Sequence, residues 1–205
     1  MKKKCLRVGL TGGFGCGKST VRHFLHEQGV ATIDADTLAR DIAATDAIAV
    51  ARIKEAFGDD VYSADGELQR QLLARRAFAS PERIGQLNRI IHPRVRALVD
   101  EQVAGYRTQG HRFVVIEAAL FYETGWYKKM DYMAVVTAPE DKRRTWLEKK
   151  RGFSQEEIDR RLQHQLPLQE KEAKADFLIR NEGDLDELRR ETRKFLEWLQ
   201  LKAAG

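Results

Sequence analysis

Apolar residues recur along this chain in two rhythms. Short, mostly apolar runs at 6–10, 31–33, 113–116, 132–136 and 177–179 are largely β-branched or aromatic and too brief for helices, so each predicts a strand. Between them lie stretches with apolar residues at helical spacing, at 19–28, 69–78, 81 to about 106, 139–150 and 185–201. In the last of these, Leu188, Thr192, Phe195, Leu196 and Leu199 share one face, which predicts an amphipathic closing helix. Short apolar strands alternating with amphipathic helices predict an α/β fold, a five-stranded parallel sheet flanked by helices. Ligands of such a sheet gather at the carboxyl ends of its strands.

The rhythm changes between 37 and 110, where the pattern is helical without a convincing strand and far longer than a simple crossover needs. The segment holds Phe57-Gly58-Asp59-Asp60, a turn at Ala64-Asp65-Gly66, and a long helical stretch interrupted at His92-Pro93. It has room for a helical substrate module. At 205 residues the chain suits one full α/β core with elaborations rather than two independent domains.

Composition narrows the partners only slightly. Lys plus Arg number 36 against 31 Asp plus Glu, and the resulting +5 suits anionic small molecules as well as nucleic acid. The two cysteines, Cys5 and Cys16, fit neither a disulfide framework nor a zinc site, so a reducing cytoplasm is the expected setting. The start, MKKKCLRVGL, is basic and then apolar like a signal peptide, but its apolar part covers only about five residues and runs into glycines. It reads as the first strand. With no apolar run of about 18 residues, no membrane span is expected.

The chemistry begins in GLTGGFGCGKST, residues 9–20. Gly12, four residues, then Gly17-Lys18-Ser19 is the Walker A spacing, and it lies between a predicted strand and a predicted helix. Glycines let the backbone turn tightly enough to aim N–H groups at a phosphate, and the helix N-terminus adds its partial positive charge. Gly13, Gly15, Cys16, Gly17, Lys18, Ser19 and Thr20 are the expected nucleotide-binding residues. Lys18 would lie along the β- and γ-phosphates and the Ser19 hydroxyl would ligate Mg²⁺.

Acids follow other strands. Asp34-Ala35-Asp36 comes after the second, and Arg40 lies four residues beyond Asp36. On a helix the two share a face, one to meet a substrate hydroxyl and the other an anionic group; the same spacing also suits a plain N-cap and its solvated neighbour. Glu117 ends the strongly apolar run 113–116, where a Walker B acid would sit near Mg²⁺. Glu123 follows another apolar run and reads on local grounds as an ordinary acid. The basic run Lys142, Arg143, Arg144, Lys149, Lys150, Arg151 could supply charge to a transferring phosphoryl group, although most such runs are solvated helix faces. His92-Pro93 reads locally as a kink with a satisfied histidine.

Taken together, these residues resemble the dephospho-coenzyme A kinase family over nearly the whole chain. The family's L-T-G-G-x-G-x-G-K-S-T corresponds to residues 10–20 and its D-A-D-x-x-x-R to residues 34–40. Asp65-Gly66-Glu67-Leu68-Gln69-Arg70 is similar to its D-G-x-L-x-R, His92-Pro93 to its histidine-proline, and residues 175–183 to its A-D-x-x-I-x-N-x-G. The resemblance implies a P-loop kinase core at 1–36, 111–138 and 176–205, a helical dephospho-coenzyme A binding domain at 37–110, and a small helical lid at 139–175. It implies transfer of the γ-phosphate of ATP to the ribose 3′-hydroxyl of dephospho-coenzyme A, giving coenzyme A and ADP, the last step of coenzyme A biosynthesis. Asp36 would be the base or orienting carboxylate, with Thr11, Arg40 and His92 on the substrate. Magnesium accompanies ATP, and a cytoplasmic monomer or weak homo-oligomer is expected.

Two departures stand out. The family's D-x-P-L-L-F-E appears as Glu117-Ala118-Ala119-Leu120-Phe121-Tyr122-Glu123, and the position of its usual lid arginine, eight beyond Ala138, is Trp146. Arg144 is taken as the lid charge, with Arg143, Lys150 and Arg151 as the other candidates. A nucleoside or nucleotide kinase of the same fold is the nearest alternative. A GTP-dependent switch lacks support, because Asn88 and Asn181 are the only asparagines, neither precedes a lysine, and no Asp has Gly three residues later. Nucleic acid is not an expected partner, since no aromatic platform accompanies the basic run.

Overall fold

The computed structural model describes residues 5–204, apart from the side chains of Lys150 and Arg151, which lie outside the described residues although both are candidates for the lid charge. In chain order the elements are β1 (Leu6–Gly12), α1 (Lys18–Glu27), β2 (Thr32–Asp34), α2 (Ala35–Thr45), α3 (Ala47–Phe57), α4 (Arg70–Ala77) and α5 (Pro81–Thr108). They continue with β3 (Phe113–Glu117), β4 (Tyr132–Thr137), α6 (Glu140–Arg151), α7 (Gln155–Gln163), α8 (Leu168–Glu172), β5 (Phe177–Arg180) and α9 (Leu185–Lys202). The five strands form one sheet in the order β2-β3-β1-β4-β5, every pair parallel. The five predicted strands are all present, each within a residue or two of its expected bounds, because runs such as Val114-Val115-Ile116 are wholly buried, as a sheet covered on both faces requires.

The chain divides into two compact units. The larger runs up to Asp34 and resumes at Val103; the smaller is Ala35–Gln102. In the larger unit Val8, Leu10, Val21, Leu25, Val115, Val136, Ile179, Leu188, Phe195 and Leu199 form one buried cluster. The buried face of α9 is Leu188, Thr192, Phe195 and Leu199, as its periodicity predicts. The segment 139–175, α6 to α8, belongs to this larger unit.

The smaller unit is helical. Asp46 caps α3 by accepting from Ala49 N at 2.9 Å, and its carboxylate is held in turn by Arg94. Tyr62 donates its hydroxyl to Ala43 O at 2.6 Å and ties the turn after α3 to α2. The interruption expected at His92-Pro93 does not occur: α5 runs unbroken through Pro93. A proline inside a helix costs about 3 kcal/mol. The stripe Ile91, Val95, Val99 is buried at four-residue spacing, and burying each such side chain is worth roughly 1.5–3 kcal/mol, so packing outweighs the lost hydrogen bond. No helix among the described residues is long and apolar enough to cross a membrane.

Candidate active site

The larger unit carries a phosphate loop at the carboxyl end of its central strand. β1 ends at Gly12, and α1 starts at Lys18 with no side chain capping its first turn. Gly17 has φ 92°, in the left-handed region, and a Cβ there would stand 2.7 Å from Asn181 Nδ2, so this position takes glycine on both counts. From just beyond β5, Asn181 donates Nδ2 to Cys16 O at 3.0 Å. Within the loop Cys16 N donates to Gly13 O at 3.2 Å, and Thr20 N to Gly17 O at 3.0 Å. Lys18 folds back over the loop, donating Nζ to Gly13 O at 3.2 Å and to Gly12 O at 3.4 Å. Ser19 is exposed in the first turn of α1. The Cys16 thiol is fully buried, and that burial pushes its pKa up despite the nearby Lys18 and Arg143. It therefore stays neutral, and we expect Cys16→Ser to keep most of its activity in a turnover assay under reducing conditions.

Two carboxylates converge beside the loop. Register pairing sets Asp34, the last residue of β2, against Glu117, the last of β3. Arg22, one turn along α1 from Lys18, donates Nε to Glu117 Oε2 at 2.6 Å and Nη2 to Asp34 Oδ2 at 3.1 Å. Burial raises the pKa of Glu117, and the Arg22 hydrogen bond and the Lys18 charge oppose that rise. Thr11, fully buried, donates Oγ1 to Ala119 O at 3.2 Å. Lys171 of α8, also fully buried, donates to the same carbonyl at 3.1 Å and ion-pairs with Glu123 Oε1 at 2.7 Å. Glu123, which read in the sequence as an ordinary acid, thus neutralises a buried lysine.

On α6 the structure separates the two central arginines. Arg144 points to solvent, ion-paired with Glu140 at 3.0 Å and Asp159 at 2.8 Å, and it also donates to Gln155. Arg143 is 7% exposed, donates Nε to Ala138 O at 3.2 Å, and faces the loop, so that a Cβ on Gly13 would lie 3.1 Å from its Nη1. Arg161 of α7 stacks over the rings of Phe14, on the loop, and Phe153, with centroid distances of 5.1 and 4.8 Å.

In the smaller unit, Asp36 sits in the first turn of α2, where the helix N-terminus favours an anion. Arg40 follows one turn later, exposed, with Nη2 donating to Thr37 Oγ1 at 2.5 Å. His92, half-buried on α5, has its pKa lowered first by burial and then by Arg96, so it is neutral at neutral pH.

The dephospho-CoA kinase family profile matches residues 6–187 of this chain. A dephospho-CoA kinase of Corynebacterium glutamicum is 38% identical over 191 residues, covering 93% of this chain and 96% of that one. The chain belongs to the dephospho-CoA kinase family. Among solved structures, a Thermus thermophilus protein superposes with a TM-score of 0.83 at 31% identity, covering 96% of this chain and 99% of its own. A dephospho-CoA kinase from Campylobacter jejuni shares the fold with a TM-score of 0.63 at 24% identity, covering 93% and 95%.

The chain places Lys18, Ser19 and Glu117, expected on the donor side, and Thr11, expected on the substrate, at the carboxyl end of the central strands of one sheet. It also brings in Arg22 and Lys171, which sequence reasoning did not single out, and gives Asn181, the asparagine of the A-D-x-x-I-x-N-x-G match, a contact with the loop that the motif did not specify. Arg22 carried a usable signal, since it lies four residues after Lys18 on the same helix face. Lys171 carried none, because its burial depends on Glu123 from a distant loop. We expect Asn181→Ala to raise the KM for ATP about fivefold or more with a smaller change in kcat, since it removes a buried hydrogen bond that shapes the loop. Steady-state kinetics with ATP varied checks this.

Proposed function

We propose that this dephospho-CoA kinase runs its phosphoryl transfer with Lys18 and the 13–20 loop on the donor and Asp36 on the acceptor 3′-hydroxyl. The observation that supports the donor half is the loop itself, with Lys18 folded over Gly12 and Gly13 and the first turn of α1 uncapped. A triphosphate entering the loop offers Lys18 anionic acceptors in place of the two carbonyls, and charge-assisted bonds of that kind are about twice as strong as neutral ones. The chain's contribution is placement and charge, with little covalent chemistry for it to do.

Asp36 would accept or orient the proton of the 3′-hydroxyl, with Arg40 one turn along the same helix binding an anionic group of the substrate. His92, neutral, would serve there as a hydrogen-bond partner rather than a charge. Thr11 supports the reacting end of the sheet through Ala119.

The Ser19 hydroxyl and the Glu117 carboxylate are hard oxygen donors, which suits Mg²⁺, a cation that binds proteins through few carboxylates and keeps several waters. Arg22 holds Glu117 Oε2, so Glu117 fits a water-mediated role better than direct ligation. When bound, the ion supplies charge neutralisation across the β- and γ-phosphates. Arg144 remains the proposed lid charge on sequence grounds, but in this conformation Glu140 and Asp159 hold it. We place the enzyme in the cytoplasm, as a monomer or weak homo-oligomer that binds no nucleic acid.

An ADP-release assay comparing dephospho-coenzyme A with AMP, CMP and adenosine as acceptors tests this reading. Preference for dephospho-coenzyme A is expected, and preference for any other would overturn the acceptor assignment.

A further inference from the structure

Arg143 stands out among the buried cations of the larger unit. Lys171, equally enclosed, is neutralised by Glu123 at 2.7 Å. Arg143, 93% removed from solvent, has no ion-paired carboxylate among the described residues; its hydrogen bond there goes to a neutral carbonyl, Ala138 O. Burying a guanidinium without an opposite charge is unfavourable, and proteins rarely retain one unless something matches it. What the guanidinium faces is the phosphate loop. A Cβ added to Gly13 would lie 3.1 Å from Arg143 Nη1, 3.7 Å from its Cζ and 3.0 Å from Cys16 Sγ. Gly13 is thus flanked by two cations, with Lys18 on its carbonyl oxygen and Arg143 beside the position a Cβ would take.

We propose that Arg143 is a positioning residue of the donor site, a fixed positive charge behind the phosphate loop that is matched only when nucleotide phosphates fill the loop. The inference rests on the reading of residues 13–20 as the ATP site. It separates Arg143 from Arg144, whose charge two acids already satisfy. It also gives Gly13 a reason beyond its backbone, since a Cβ there would press tightly on the Cys16 thiol and the guanidinium, and both would have to give way slightly. Because Arg143 acts across the loop rather than through the base or ribose, it should discriminate phosphorylated from unphosphorylated ligands. Its loss should not act like the loss of a strut. Removing an unmatched buried charge leaves the empty protein as stable or more so, while weakening what the charge was there to match.

The test compares wild type with Arg143→Met, which keeps the aliphatic bulk, and Arg143→Lys, which keeps the charge. ADP and adenosine binding are measured by calorimetry, and thermal unfolding is followed without ligand. For Arg143→Met the expected result is about tenfold weaker ADP binding, as follows from losing one charge interaction across the loop in a partly screened site. Adenosine affinity should be unchanged and the unliganded Tm equal or higher, and Arg143→Lys should recover most of the ADP affinity. If Arg143→Met binds ADP as wild type does, the proposal is overturned. It is equally overturned if ADP and adenosine weaken together. Should Arg143→Met lose both stability and ADP binding, Arg143→Lys decides: recovery of binding supports the charge, and no recovery overturns it. A wild type that bound no ADP would instead overturn the donor-site reading itself.

Discussion

Replacing Asp36 by Asn should lower turnover at least about tenfold and as much as 10²- to 10⁴-fold, the usual span of general-base assistance, with the KM for ATP near normal. Asparagine keeps the shape of the side chain but can neither take up the 3′-hydroxyl proton nor hold the same charge in the first turn of α2. The donor residues lie on other elements, so the loss should fall on kcat and on the dephospho-coenzyme A terms. Initial rates with each substrate varied in turn separate these, and wild-type turnover in Asp36→Asn would remove Asp36 from the reaction.

Lys18→Ala should be the most damaging change on the donor side, cutting kcat/KM for ATP by at least about 10². Charge-assisted hydrogen bonds contribute about 1.5–3 kcal/mol each, and Lys18 has two acceptor positions to exchange for phosphate oxygens, Gly12 O and Gly13 O. Alanine deletes those bonds and the charge together. Full activity in this variant would contradict the assignment of the loop as the phosphate cradle. The two substitutions therefore differ in pattern: Asp36→Asn should spare nucleotide binding, and Lys18→Ala should weaken it.

The sheet and the loop were legible in the sequence because their signals are local. Runs of β-branched residues and a glycine pattern at fixed spacing depend on neighbours within a few positions. The helical character of 37–110 was legible for the same reason. The path of α5 through Pro93 was not, because the stripe of buried aliphatics that sustains it is a tertiary fact. The charge run on α6 failed in a more instructive way. Arg143 and Arg144 are adjacent and chemically alike, yet about 100° of helical rotation sends one under the loop and the other into solvent. Composition cannot set that phase; the buried Leu147, one turn after Arg143, shows it once the structure is known. Glu123 and Lys171 were opaque because each reads as an ordinary surface charge until the other is placed beside it.

The bond from Asn181 to Cys16 spans 165 positions of the chain's 205. The Walker segment is translated well before Asn181, whose side chain holds the carbonyl of Cys16 in the loop. Early fragments thus possess the motif without its shape, and contacts of such long range form late and slowly. A chain truncated before Asn181 is accordingly expected to bind ATP more weakly than the full chain, which a binding titration checks. A ligand that binds only the formed loop stabilises molecules in which that hydrogen bond is made, by mass action.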